Sequence, residues 1–221
     1  MGKVDVDIIF NIAEGYEGRN RESQVPILLE MMRVPCVGAD GLTLGLALDK
    51  VLPKKVLIAE GIPTPRYAEV YDPQALWSVD LTYPLIVKLR CEGSSKGLTP
   101  TSVVDTPEAL HQQVTHMAQT YKGAPIFIEE FIEGQEFTVA IMGNGKEARC
   151  LPIVGMRFDE LPSGAPPIYG YEAKWIWDDP SDPLEIFECP ARVPARVATQ
   201  IRTAALGAYH ALECRDWCRV D

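Results

Sequence analysis

Residues 85–97 read LIVKLRCEGSSKG. Leu85, Ile86 and Val87 lead into Lys88, and Leu89 into Arg90, so a buried strand ends in cationic side chains. The following turn, Glu92-Gly93-Ser94-Ser95-Lys96-Gly97, is small and polar. Small residues let backbone N–H groups approach an anion closely, hydroxyls add donors, and loops of this kind cradle phosphates. The Gly-x-x-x-x-Gly-Lys-Ser/Thr spacing of a Walker loop is missing, and a Gly/Ser turn is also compatible with a plain connection. Residues 93–97 also fit Gly-x-Ser-x-Gly, the nucleophile elbow of a hydrolase. That elbow must open directly into a helix, whereas Leu98-Thr99-Pro100-Thr101 follows here.

Outward from this segment, β-type sequence occupies residues 66–70 and 83–89, and a helix is expected over 107–121. Thr106 caps that helix, Pro107 takes its first position, and Leu110, Val114, Met117, Ala118 and Tyr121 form one stripe. Residues 126–132 (IFIEEFI) and 136–142 (EFTVAIM) read as strands around Glu133-Gly134-Gln135. Alternation puts Phe127, Glu129 and Phe131 on one face, and Glu136 on the face of Thr138. Acids at the ends of apolar strands are either solvated ends or a slot accepting hydrogen bonds from an amino group and a sugar hydroxyl. A third strand is expected over 149–158, a long Pro/Gly/Asp-rich loop over 161–183, a helix over 194–212 with a stripe of Val197, Ile201, Ala205, Ala208 and Leu212 inward, and a last strand over 216–221. In that last strand Arg219 and Asp221 share one face, Cys218 and Val220 the other. The pair is a surface ion pair or a metal carboxylate beside a charge-stabilising guanidinium.

Toward the N-terminus, residues 4–11 (VDVDIIFN) read as a strand, 23–33 as a helix and 44–59 as a helical stretch that Pro53 breaks or kinks. Gly61-Ile62-Pro63-Thr64-Pro65 is a rigid linker. No strict βαβ rhythm persists after residue 60, so the fold class is α+β, with an α/β remnant in front.

The 221 residues suffice for a sizeable core, and 47% hydrophobic with 24% charged residues is ordinary for a globular chain. The net charge of −10 gives no global field for nucleic acid or an anionic membrane, so any anionic ligand needs a local cluster of cations. No apolar stretch reaches the ~20 residues of a spanning helix, and the N-terminus carries acids where a secretory signal would be apolar. The six cysteines form no Cys-x-x-Cys pair and read as free thiols of a reducing cytoplasm. Cys214 and Cys218 could share a metal, but no nearby His or second Cys pair completes the site. His111, His116 and His210 stand at unrelated spacing.

The segments 10–15 with Gly18 and Gln24, 28–30, 34–38, 47–50, 61–65, 84–97, 128–139, 151–153, 171–174 and 214–221, in this order, resemble the D-alanine–D-alanine ligase family of the ATP-grasp superfamily. The resemblance implies an ATP-grasp domain over 49–221, preceded by a partial N-terminal α/β domain over 1–48. It implies that Lys50 and Lys88 contact ATP phosphates, Glu129 accepts from the adenine amino group with the backbone near Ile132, and Glu136 holds the ribose. Ser94 and Ser95 lie in the loop over phosphate and substrate, and Lys174 in the lid over the γ-phosphate. Arg219 stabilises the tetrahedral transition state, and Asp221 is a Mg2+ carboxylate. The implied chemistry joins a carboxylate to an amine through an acyl phosphate, in peptidoglycan precursor synthesis, with D-alanine as substrate and a homodimer as the assembly. Ala13-Glu14-Gly15 stands in place of the family's common His-Gly loop, and Trp175 in place of a Tyr, which leaves room for another small amino or hydroxy acid. Family members also carry segments before residue 4 and after Asp221. On that comparison the chain is expected to be truncated at both ends and to bind metal–nucleotide weakly, with little or no ligation.

Overall fold

The computed structural model describes residues 6–72, 79–158, 161, 168–171, 176 and 185–221. In chain order the elements are β1 (Ile9–Phe10), α1 (Gln24–Met32), β2 (Cys36–Val37), α2 (Gly41–Leu48), α3 (Leu52–Ala59), β3 (Tyr67–Val70), β4 (Leu85–Leu89) and β5 (Val103–Val104). Then come α4 (Pro107–Thr120), β6 (Ile126–Glu130), β7 (Phe137–Met142), β8 (Arg149–Cys150), β9 (Val154–Met156), β10 (Phe187–Glu188), α5 (Ala195–Ala211) and β11 (Trp217–Val220). Two compact units result. One comprises 1–63, 137–154 and 189–221, the other 64–136 and 155–188. The class is α+β, as expected.

In the unit built on 64–136, the sheet order is β3-β6-β4-β5, all antiparallel. One sheet face carries Leu85, Val87, Leu89, Ile126 and Ile128, which bury against Leu110, Val114 and Met117 of α4. The α4 stripe forms where the spacing placed it, and the Thr106 hydroxyl accepts from the Ala109 N–H at 3.2 Å, satisfying one orphan donor of the first turn. The opposite sheet face therefore receives the alternate residues Tyr67, Glu69, Ile86, Lys88, Phe127 and Glu129.

In the other unit, β1 and β2 pair in parallel through α1, the α/β remnant anticipated in front. β7 lies between β8 and β11, both antiparallel to it. Val139, Ile141 and Ile153 pack there against Ala205 and Tyr209 of α5. Tyr209 is 1% exposed, and its hydroxyl donates to the Gly143 carbonyl at 2.7 Å. Ala205, Ala208 and the partly buried Ile201 of the expected α5 stripe do turn inward.

Several expectations change. Of the strand expected over 4–11, the described residues 6–11 form only Ile9–Phe10, opposite the two residues of β2. The helical stretch over 44–59 is two helices. The buried Asp49 carboxylate accepts from the N–H groups of Val51 and Leu52 at 3.0 and 3.2 Å, ending one helix and starting the next. Pro53 then sits in the first turn of α3, where its missing N–H costs nothing. The strand over 149–158 splits into β8 and β9 around Leu151-Pro152-Ile153, since Pro152 cannot donate to a ladder. The strands expected over 126–132 and 136–142 both form, as β6 and β7, and enter different sheets. Most of the expected 161–183 loop lies outside the described residues.

Candidate active site

Register decides the site. Ile86 lies opposite Glu129 and Lys88 opposite Phe127, so Lys88 and Glu129 are diagonal neighbours on one face. Lys88 Nζ donates to Glu129 Oε1 at 2.6 Å. Glu129 is 7% exposed, and a carboxylate so far from water requires such a partner. On the same face Arg90 Nη1 lies 2.5 Å from Glu69 Oε2. The outcome is a row of paired charges on the sheet face that also carries Phe127, with each acid neutralised locally in an otherwise acidic chain.

After β6 the main chain stays paired for one more residue. The Phe131 N–H donates to the Pro84 carbonyl at 2.9 Å, and Ile132 then stands exposed as the chain leaves the sheet. Glu136 lies exposed just before β7, its carbonyl accepting from Met156 N–H at 2.9 Å.

The loop after β4 carries Ser94 and Ser95 in consecutive left-handed conformations, φ 54° and 58°. Each costs about 1–3 kcal/mol for a residue with a Cβ, a strain that surrounding contacts must hold. The contacts are present: Lys96 N–H donates to Gly93 O, Leu98 N–H to Ser95 O, and Ser95 Oγ to the Tyr169 carbonyl at 3.1 Å. Gly97, at φ 77°, is pinned against Leu89 and Tyr121. The loop continues into the 3-10 turn Pro100–Ser102 and then β5, not into an α-helix, so the hydrolase elbow is not built here.

The other unit holds a second set of residues. Lys50 sits half-buried in the Asp49 turn between α2 and α3, and Arg19 Nη2 approaches Asp49 at 3.4 Å. Arg219 and Asp221 project together from the exposed face of β11, with Nε to Oδ1 at 3.0 Å, while Cys218 and Val220 face the core. Lys174 lies outside the described residues.

The turn before β11 is fastened from three sides. Asp216 accepts from Gly38 N–H at 2.9 Å and from Asn144 Nδ2 at 2.8 Å, and its own N–H donates to Asn144 Oδ1 at 2.9 Å. The Asn144 hydrogen bond, then that of Gly38, holds its carboxyl below the usual range.

Comparison with known proteins resolves what this arrangement belongs to. The family model described as "D-ala D-ala ligase C-terminus" matches residues 57–221. The chain belongs to the D-alanine–D-alanine ligase family. It is 33% identical over 195 residues to the D-alanine--D-alanine ligase of Bordetella avium, covering 87% of this chain and 56% of that protein. It is 36% identical over 214 residues to an uncharacterized protein, y4sG, of Sinorhizobium fredii, covering 97% of this chain and 60% of that one. Among solved structures, the VanG D-Ala:D-Ser ligase of Enterococcus faecalis aligns with TM-score 0.73 at 26% identity, over 98% of this chain and 59% of that one. The D-alanine--D-alanine ligase of Bacillus anthracis aligns with TM-score 0.70 at 26% identity, over 98% and 65%. The fold is thus ATP-grasp, and the chain spans between 56% and 60% of the length of these two curated relatives.

Within this D-alanine–D-alanine ligase family chain, Lys88, Glu129, Ser94 and Ser95 are held by one unit, and Lys50, Arg219 and Asp221 by the other. Glu69 and Asp216 were not picked out by sequence reasoning. Two-residue alternation over 66–70 was the available signal for Glu69, since it places that acid on the Tyr67 face. Nothing local signalled the three-sided anchoring of Asp216. Among the described residues no three His, Cys, Asp or Glu side chains gather to hold a metal, and no helix is long and apolar enough to cross a membrane.

Proposed function

We propose that this chain binds ATP with Mg2+ and takes part in ATP-dependent ligation of a small carboxylate to an amine. The product is D-alanyl-D-alanine, or the equivalent from another small amino or hydroxy acid. The observation that carries this reading is the Lys88–Glu129 pair beside the strained Ser94–Ser95 loop, on a sheet face of a member of this family. Lys88 and the loop amides suit phosphate oxygens, and the backbone near Ile132 with the Glu129 carboxylate suits an adenine edge. Glu136 suits ribose hydroxyls. Lys50 and Lys174 add cations, so the net charge of −10 is no obstacle to ATP.

In the proposed reaction the first carboxylate attacks the γ-phosphate, ADP leaves, and an amine then displaces phosphate from the acyl phosphate. The chain's own part is positioning and charge stabilisation. Arg219 stabilises the oxyanion of the tetrahedral stage, and Ser94 orients the substrate. Asp221 supplies hard oxygen donors suited to Mg2+, which is characteristically held by one or two carboxylates together with substrate phosphates. The ion would neutralise phosphate charge there. Residues 49–221 serve as the ATP-grasp domain and 1–48 as a partial N-terminal α/β domain. The reading extends to a cytoplasmic enzyme of peptidoglycan precursor synthesis, working as a homodimer, with no nucleic-acid or membrane partner.

ADP formation from Mg-ATP across a panel of D- and L-amino acids tests the reaction class. The proposal predicts slow ADP formation that depends on D-alanine or another small acid and is lost in Lys88→Ala. ATP binding with no amino-acid dependence would reduce the chain to a nucleotide-binding module.

A further inference from the structure

We propose that Cys214 and Cys218 form an oxidisable dithiol, a modification site that closes to an intrachain disulfide with a low-molecular-weight disulfide such as glutathione disulfide. The proposal is independent of the ligase reading. The chain turns back on itself between the two residues. Cys214 N–H donates to the Tyr209 carbonyl at 2.9 Å, tying it to the end of α5. Trp217 N–H then reaches the Arg215 carbonyl at 2.6 Å, a three-residue turn around Asp216 at φ 59°. The Asp216 anchors to Gly38 and Asn144 hold that reversal in place.

Both cysteine side chains consequently pack on the same apolar cluster of Val139, Ile141, Ala205 and Tyr209. The Cys218 thiol hydrogen-bonds the Cys214 sulfur, which holds the Cys214 thiol below its ordinary range; the same contact, then burial, pushes Cys218 up. The thiolate is the attacking species in exchange, so the two residues have distinct roles.

Cys150 is the obvious rival, and register excludes it. Cys150 lies opposite Ile141, and Ile141 opposite Cys218, so two strand spacings of about 4.8 Å separate the Cys150 and Cys218 backbones. That exceeds the roughly 7 Å limit for bridging Cα atoms.

The exchange balances. Cys214 thiolate attacks one sulfur of glutathione disulfide; a Cys214–glutathione bond forms, the original S–S bond breaks, and one glutathione leaves and takes up a proton. Cys218 gives its proton to solvent and attacks the Cys214 sulfur, and the second glutathione leaves with the electron pair and is protonated. The dithiol loses two electrons and two protons, and glutathione disulfide gains both.

The test is incubation of the folded protein with glutathione disulfide, alkylation of remaining thiols, and peptide mapping by mass spectrometry. The expected result is loss of two of the six free thiols, with the peptide ending at Arg215 linked to residues 216–219. In Cys218→Ser the mixed disulfide at Cys214 accumulates, and in Cys214→Ser no bridge forms. Alkylation of both cysteines in the wild type, a bridge to any other cysteine, or no adduct at Cys214 in Cys218→Ser would overturn the proposal. The wild-type map is decisive even where a variant folds poorly.

Discussion

Lys88 Nζ lies 2.6 Å from Glu129 Oε1, across strands whose register makes the two residues diagonal neighbours. The contact gives a buried carboxylate a cationic partner, and it sets a cation and an anion side by side on one face. In the proposed function each member has a ligand partner of its own.

Replacing Lys88 with Ala removes the 2.6 Å cationic partner of a carboxylate that is 7% exposed. A fully buried pair broken this way costs about 3–5 kcal/mol. The Lys88 side chain is 28% exposed, so solvent screening reduces the expected cost to about 1–3 kcal/mol. Glu129→Gln keeps the shape and an acceptor oxygen and should lose less. Urea unfolding of the two variants checks the order.

Gly97 has φ 77°, and an added Cβ would lie 3.1 Å from Leu89 Cδ1 and 3.4 Å from Tyr121. Gly97→Ala combines left-handed backbone with close packing. A loss of about 1–2 kcal/mol is expected from the backbone alone. Gly123→Ala, at φ 80° with nothing near its Cβ, should show the backbone component without the packing. The difference between the two melting midpoints measures the Leu89 contact.

Tyr209 is almost fully buried and its hydroxyl is bonded to Gly143 O. Tyr209→Phe keeps the ring and removes the donor, leaving a carbonyl short of a partner. The expected loss is about 1 kcal/mol, read as a shift in urea midpoint at unchanged m-value.

The Asp216 carboxyl is held below its ordinary range chiefly by Asn144, then by Gly38. A depressed folded value means that its stabilisation is present above the unfolded value, about 3.9, and is lost as pH falls through the lower folded value. Wild type should therefore exceed Asp216→Asn in stability by about 1–2 kcal/mol at neutral pH. The gap should narrow as pH falls below ~4, where the unfolded carboxyl protonates, until the lower folded value is passed and the native carboxyl protonates too. Melting midpoints of both proteins across an acid series test the sign.

Much of this architecture was legible in the residues. The α4 stripe and its Thr106 cap, the alternation that turns Arg219 and Asp221 outward, and the apolar run ending at Lys88 are local patterns, and each formed where they placed it. Sheet partnership was not local. Nothing within residues 126–142 says that β6 and β7 join different sheets, because the choice depends on partners distant in sequence. The break at Asp49 escaped the helical reading because a buried side chain, not the proline, ends the helix. The Lys88–Glu129 contact needed a register that alternation alone does not supply. Tyr209 was missed because the stripe was drawn through its smaller neighbours.

The claim that the Lys88–Glu129 face holds the nucleotide is tested most directly by calorimetric titration of Mg-ATP into the wild type, Lys88→Ala and Glu129→Gln, with folding checked by melting in each. Saturable binding by the wild type, weakened at least about tenfold in Lys88→Ala, corresponding to about 1.4 kcal/mol, is the predicted result. Equal affinity in folded Lys88→Ala, or no saturable binding by the wild type, would contradict it.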